Sequence, residues 1–292
     1  MENKKILILG SSGFLGSHLV KFLLKNNEVV QFDMNPPPQK IADSEFIKGS
    51  ILDKTLVTSA MKDVDIVYHF AAMTDIDIVN ESPAQAIEVN IAGTSNVLEA
   101  CVQEKIERFI FSSSVYVYSE FGGVYKSTKQ ACELLIEDYN EMHDLAYTIL
   151  QLGSVYGPGA KQINLISRLI NEALSLKEIH HYGTGEEVRQ YIYVKDVVQA
   201  AATSIDNNYK NKKIILLGNE RITISELMDK IIFHTDSNIQ KVFHDDQYGI
   251  HYKLSPFHTN PDGAVNLKIE TPVLLNSGLK KTINAIKKEL NL

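Results

Sequence analysis

Three side chains in one stretch carry acid–base chemistry. Ser112-Ser113-Ser114 ends an apolar run, Tyr125 comes eleven residues after Ser114, and Lys129 lies four residues further on. An i, i+4 spacing puts the phenol and the ammonium on one face of a helix. A tyrosine ordinarily keeps its proton to about pH 10, so acting as a base near neutrality costs roughly 4 kcal/mol. Nearby positive charge offsets that cost, and a lysine one turn away supplies it. A serine hydroxyl can hydrogen-bond the same substrate oxygen. Ser114, Tyr125 and Lys129 thus form a catalytic set suited to taking the proton of an alcohol while hydride leaves for a nicotinamide, or to the reverse. A bare Tyr-x-x-x-Lys is usually an ordinary surface pair on a helix. What precedes it reverses that reading.

The chain opens with a run of apolar β-formers, Ile6 to Leu9, that leads into Gly10, Gly13 and Gly16. The apolar spacing then turns helical at Leu15, Leu19, Phe22 and Leu23. This is a buried parallel strand, a tight turn and an amphipathic helix. The glycines let the backbone turn and approach a pyrophosphate, and the helix N-terminus offers N–H groups to the anion. Asp33 ends the next apolar run, where a carboxylate accepts hydrogen bonds from an adenosine ribose. No Arg or Lys follows until Lys40, so nothing welcomes a ribose 2′-phosphate. The expected cofactor is NAD rather than NADP.

The elements that position these residues alternate. Strand patterns lie near 5–9, 28–33, 45–48, 65–70, 107–113 and 146–152, and helical patterns near 14–25, 53–61, 83–105 and 125–143. Pro36-Pro37-Pro38 is an extended surface connection. The alternation predicts an α/β fold, a Rossmann-type doubly wound parallel sheet. After Tyr156-Gly157-Pro158-Gly159 the regularity weakens: a helix near 162–176, strands near 188–193 and 213–217, a helix capped by Thr223 or Ser225, and a helical tail from 277 to 290. The expected division is an NAD-binding domain over 1–155, with roughly 190–217 returning to it, and a smaller α/β substrate-binding domain over 156–292.

Composition narrows the function. The 292 residues are 44% hydrophobic and 22% charged, which suits a globular chain. A net charge of −7 argues against nucleic-acid binding. No apolar run approaches membrane-spanning length and no signal-peptide core is present, so a soluble, cytoplasmic protein is expected. Cys101 and Cys132 read as buried free thiols. His180, His181, His244, His251 and His258 lack metal-site spacing and read as solvated or pocket-lining, so no metal is expected. His69 reads as a hydrogen-bonded core residue.

With these motifs in place, the chain resembles the extended short-chain dehydrogenase/reductase family, and within it the NAD-dependent nucleotide-sugar epimerases and dehydratases. The likeness rests on the glycine loop, His69-Phe70-Ala71-Ala72, Asn90-Ile91-Ala92-Gly93-Thr94, Ser112 to Tyr118, Tyr125 to Lys129, Val155 to Gly159, and Val188 to Asp196. The resemblance implies that Phe14, Leu15, Phe70, Ala71, Ala72 and Ser112 line the cofactor groove and that Ser50 and Ile51 lie by the adenine. It also implies that Asn90 supports the active site, that Ser114, Tyr125 and Lys129 are catalytic, and that Arg189 meets a substrate diphosphate. A structural ion pair with Glu186, Glu187 or Asp196 is the alternative for Arg189. Ser154 stands where the family carries an Asn that contacts the nucleotide-sugar, and Thr74 where some epimerases carry a lysine. Ser119 replaces a usual Gly, Gln151 follows Leu150 where the family has Arg, and the stretch Val115 to Val124 lacks the usual proline-bearing loop. The stretch from Thr235 to Asp262 aligns with nothing.

The positions that carry an Asp-Glu pair in dehydratases are Val115 and Tyr116, and neither is a carboxylate acid or base. The resemblance therefore implies C4 epimerisation of a nucleotide-diphosphate hexose through a transient 4-keto sugar. An NAD-dependent dehydrogenase or reductase of another alcohol, or a cofactor sensor without turnover, are the other readings. The family's habit of pairing helices equivalent to 83–105 and 125–143 across a two-fold axis implies a homodimer.

Overall fold

A strand buried on both faces must be apolar where it is enclosed, and β1 (Lys5–Leu9) meets that condition from Ile6 to Leu9. Its side chains alternate between two cores: Ile6 and Ile8 enter one, Leu7 and Leu9 the other. The computed structural model describes residues 3–37, 44–235, 238–245, 264–267 and 269–292. Lys40, Pro38, His251, His258 and most of the stretch from 235 to 262 lie outside the described residues.

After β1 come α1 (Phe14–Leu23), β2 (Glu28–Asp33), β3 (Glu45–Lys48), α2 (Lys54–Ala60), β4 (Ile66–His69), α3 (Ile76–Glu81), α4 (Pro83–Ile87), α5 (Gly93–Gln103) and β5 (Arg108–Ser114). Then follow α6 (Gly123–His143), β6 (Tyr147–Leu152), β7 (Ser154–Tyr156), α7 (Leu165–Ser175), β8 (Glu178–Tyr182), β9 (Val188–Tyr193) and α8 (Val194–Thr203). The chain ends with β10 (Lys212–Leu216), β11 (Arg221–Thr223), α9 (Ile224–Thr235), β12 (Gln240–His244), β13 (Ala264–Asn266) and α10 (Leu275–Glu289). The central sheet runs β3-β2-β1-β4-β5-β6-β10-β13, and every neighbouring pair is parallel. The order reverses at β1, and ligands of such sheets bind outside the strand C-termini at that switch point. Helices cover both faces, so the doubly wound, Rossmann-type fold is the one observed.

Among the described residues there are also a three-stranded sheet, β11-β9-β7, and a parallel pair, β12-β8. β9 belongs to the three-stranded sheet, so the return to the central layer starts with α8 and β10, after Tyr193. The apolar cluster on one face of the main sheet runs without a break from Ile6 and Tyr68 to Ile224, Leu227 and Leu279.

The single helical pattern over 83–105 is broken in the structure. α4 and α5 flank one π-helical turn, Glu88–Ala92, that places Asn90 at its centre. The Asn90 carbonyl accepts from Thr94 Oγ1 at 2.5 Å and from Cys132 Sγ at 3.1 Å. α6 begins at Gly123, earlier than its apolar pattern suggests, because Asn80 Oδ1 on α3 accepts from Val124 N at 2.9 Å and caps it from another element.

α6 is fixed to the sheet by a buried carboxylate. Glu133 is 5% exposed and accepts from Gln151 Nε2 at 3.0 and 3.1 Å. It also accepts from Ser113 Oγ, and Lys213 Nζ lies 3.3 Å away. Removing one member of a buried ion pair strands the others in a poorly solvating interior. Glu133→Ala is expected to lower unfolding free energy by about 3 kcal/mol or more, read by urea denaturation. An unchanged midpoint would show that the cluster contributes nothing.

Candidate active site

The glycine turn leaves no room for side chains. Gly10 sits at φ +84°, and a Cβ there would come within 2.5 Å of Ala71 N; at Gly16 it would come within 2.1 Å of Gly10 O. The close contacts put β1, the turn, α1 and the start of the segment after β4 around one cradle. The N-cap of α1, Gly13, makes no side-chain cap, and residues 13–17 line the cleft, so the first-turn N–H groups are placed for an anion. Asp33 Oδ2 accepts from Ser12 N at 3.0 Å and Oδ1 from Asn35 N at 2.9 Å, which fixes the carboxylate at the end of β2. Together the backbone cradle and the carboxylate fit the pyrophosphate and the adenosine ribose of NAD.

One continuous cleft of about 1920 Å³ starts at this cradle. That exceeds the few hundred to 1,000 Å³ or so of an ordinary single-ligand pocket. Gly10, Gly13, Phe14, Leu15, Gly16, Asp33, Ser50, Ile51, Phe70, Ala71, Ala72, Ser112, Ser114 and Tyr125 all line it, as do Ser154 and Arg189 at the other end. Lys129 and Asn90 do not. They are 2% exposed each and stand behind the wall. Asn90 Oδ1 accepts from Met73 N at 2.7 Å, and its Nδ2 donates to Met73 O at 3.0 Å and Thr128 Oγ1 at 3.2 Å.

β5 and α6 bring Ser114, Tyr125 and Lys129 together. Burial pushes the Tyr125 phenol up to about 12, against a hydrogen bond with the Ser114 side chain that pulls it down. Burial also pushes the Lys129 ammonium down to about 8. Lys129 Nζ donates to the Ser112 carbonyl at 2.7 Å and lies 6.0 Å from the Tyr125 ring centroid and 4.6 Å from that of Phe111. His69 is 1% exposed and its Nε2 lies 3.0 Å from Thr94 Oγ1. Because Thr94 gives its proton to Asn90 O, His69 is the donor; burial holds it neutral, with a pKa of about 3.

The far end is built by β7, β8, β9, β12 and α7. Arg189 Nη1 donates to Val188 O at 3.1 Å. Glu187 is engaged by His181 Nε2 at 3.0 Å and Thr184 N at 2.9 Å, while Asp196 accepts from Val273 N at 2.9 Å. His180 Nδ1 meets His244 Nε2 at 3.0 Å, and the His244 ring stacks on that of Tyr182. Among the described residues no group of His, Cys, Asp and Glu is arranged to hold a metal ion. His18 Nε2 donates to Pro158 O at 2.9 Å and so ties α1 to the turn after β7. Met73 and Ile76, which also line the cleft, were not legible as site residues; the only sequence signal was their place directly after Phe70-Ala71-Ala72.

Below pH 8 the folded chain holds Lys129 charged against its burial. Between there and its ordinary 10.5 the folded chain has released a proton that the unfolded chain still binds, so stability rises with pH in that window. Lys129→Met is therefore expected to stabilise the cofactor-free protein at pH 7 by about 1–3 kcal/mol. The gain should shrink toward pH 10, as read by urea unfolding at both pH values.

A profile of the NAD dependent epimerase/dehydratase family matches residues 6–218. The UDP-N-acetyl-alpha-D-glucosaminuronate decarboxylase of Bacillus cytotoxicus is 30% identical, over 96% of this chain and 97% of its own length. UDP-glucose 4-epimerase of Thermotoga maritima, solved with UDP-glucose, superposes with a TM-score of 0.86 at 25% identity, covering 98% of this chain and 99% of that one. UDP-glucuronic acid 4-epimerase of Bacillus cereus, solved with UDP-glucuronic acid and NAD, gives 0.85 at 26% identity over 98% and 99%. The match over most of the chain, on a fold and cradle that fit the dinucleotide, makes this protein an NAD-using enzyme that belongs to the NAD-dependent epimerase/dehydratase family.

Proposed function

We propose that the enzyme epimerises a nucleotide-diphosphate hexose at C4. The observation that carries this reading is the pair Ser114 and Tyr125 at the cleft wall, followed by Val115 and Tyr116 where elimination would need carboxylates. Bound NAD would supply the hydride acceptor and, when oxidised, a positively charged ring. Burial alone keeps the Tyr125 proton in place, so its base form depends on positive charge nearby, including the Lys129 ammonium one helical turn away. Tyr125 Oη takes the proton of the C4 hydroxyl while Ser114 Oγ hydrogen-bonds the same oxygen, and Tyr125 later returns that proton. Val115 is inert, and the Tyr116 phenol is too weak an acid to eliminate water. The ketone is accordingly reduced again, on its other face, with no net redox change.

In the same proposal residues 1–155 hold the cofactor and 156–292 the sugar nucleotide, with Arg189 on the diphosphate and Ser154 beside the nucleotide. A planar guanidinium suits phosphate oxygens. The enzyme acts in the cytoplasm as a homodimer. α6 exposes Leu134 and Met142 at 62% and 63%, and Ile87 on the neighbouring α4 is 50% exposed, an apolar surface that a second copy would cover. A solution mass of two chains at micromolar concentration is expected, and a single-chain mass would overturn the dimer.

Incubation with UDP- and dTDP-hexoses, followed by NMR, is expected to show the C4 epimer with no accumulated NADH. Tyr125→Phe should retain NAD and lose about 10²–10⁴-fold in turnover. A 4-keto-6-deoxy product, or stoichiometric NADH without epimer, would refute the assignment.

A further inference from the structure

The catalytic tyrosine stands in an apolar corner. Its ring packs with Val79 and Ala86, and Met73, Ile76, Tyr116 and Val124 close around it. Met73, Ile76 and Tyr116 also face the cleft, so they form the surface that a substrate meets beside the Tyr125 oxygen. Each is fixed in place. The Tyr116 ring stands edge-on to that of Tyr125, centroids 6.2 Å apart at 81°. Gly122, at φ +100°, is the only residue type that fits behind it, since a Cβ would lie 2.6 Å from Tyr116 Cδ1. Asn90 clamps both backbone polar groups of Met73. Ile76 opens α3 under the cap of Asp75, which accepts from Asp77 N at 3.1 Å and Ile78 N at 3.2 Å.

The charged side chain that the elements of this wall put into the cleft is acidic, while Lys126 on α6 donates to Glu120 O at 3.4 Å and does not line the cleft. Asp77 on α3 lines the cleft beside it. The described cations that line the cleft, Lys21, Lys161, Arg168 and Arg189, come from α1, α7, β9 and the turn before α7, not from the elements that carry the wall. Lys129 is behind it, donating to Ser112 O.

We propose that Met73, Ile76 and Tyr116 form a specificity wall that admits a nucleotide-linked sugar with uncharged ring substituents, a neutral hexose, and rejects a uronic acid. The inference rests on the 4-epimerase reading and adds the class of sugar to it. Two costs fall on a sugar carboxylate here. It loses water against methyl, thioether and aromatic surface, and the side-chain donors there, the Tyr116 and Thr74 hydroxyls, are neutral and bring no compensating charge. Its negative charge also strengthens the hold of Tyr125 on a proton that the base must be free of. Proteins similar to this chain include one solved with UDP-glucose and one solved with UDP-glucuronic acid, so similarity alone does not choose between the sugars.

The test uses the enzyme with its cofactor and compares kcat/KM for UDP-glucose, UDP-galactose, dTDP-glucose and UDP-glucuronic acid. The neutral hexose it prefers is expected to exceed the uronate by about 100-fold, the factor that a poorly solvated carboxylate implies. Ile76→Arg, at the half-buried start of α3, should narrow that ratio about tenfold or more by lowering KM for the uronate, because it supplies the missing cation. Met73→Arg serves if that variant does not fold. Equal or better use of the uronate by the wild type, or an unchanged ratio in a folded arginine variant, would overturn the wall while leaving 4-epimerisation intact. If no sugar nucleotide is epimerised, the parent reading falls instead. Thermal shifts with UDP-glucose against UDP-glucuronic acid then decide the selectivity without turnover: a larger shift with the neutral sugar supports the wall, and an equal or smaller one overturns it.

Discussion

The Lys129 ammonium is enclosed by protein with the Ser112 carbonyl at 2.7 Å, and this contact seats the helix on the strand tip. A charged group in such a place is unfavourable for the fold, and the Glu133 cluster one turn further along α6 holds the helix there regardless. With α6 pinned at two successive turns, the phenol one turn earlier has a defined position beside Ser114. Burial then moves the two groups apart from nearly equal ordinary values: the phenol keeps its proton more tightly and the ammonium less. Their proton affinities end up separated by about four units, and burial rather than a fixed charge pair is the main cause. Incoming positive charge therefore has a large effect on which of them holds the proton.

Support for this arrangement comes from side chains far off in sequence. Asn80 caps α6 from α3, and Asn90 reaches from the π-helical turn to the backbone of Met73 and to Thr128 on α6. The same few asparagines thus link the floor of the cleft, α6 and the apolar corner. A change at either would be felt through geometry rather than through contact with ligand.

The sequence made the central sheet legible because its strands are buried on both faces and carry short apolar runs, Ile6 to Leu9 in β1, Ile66 to Tyr68 in β4 and Phe109 to Phe111 in β5 above all. The glycine cradle, Asp33, Ser114, Tyr125 and Lys129 were legible because their chemistry depends on short-range spacing. What was not legible depended on distant partners. β7, β11 and β13 are three residues each and exist only as pairings. The π turn at Asn90 adds one residue to a helical repeat that still looks continuous in the apolar pattern. Two glycines at the head of α6 read as a break until Asn80 is seen to cap them. Met73 and Ile76 are ordinary apolar residues whose role comes only from the cleft they border.

The unbroken apolar cluster from Ile6 to Leu279 has a kinetic consequence. A hinge requires two bodies with few contacts between them. Here, swinging the β7–β8–β9 end of the cleft away from the glycine cradle would tear open a shared core, and the His18–Pro158 bond adds a latch at the rim. Traffic into and out of the cleft then falls to surface loops, whose microsecond-to-millisecond motions gate release in many enzymes. Residence time becomes a property of the rim.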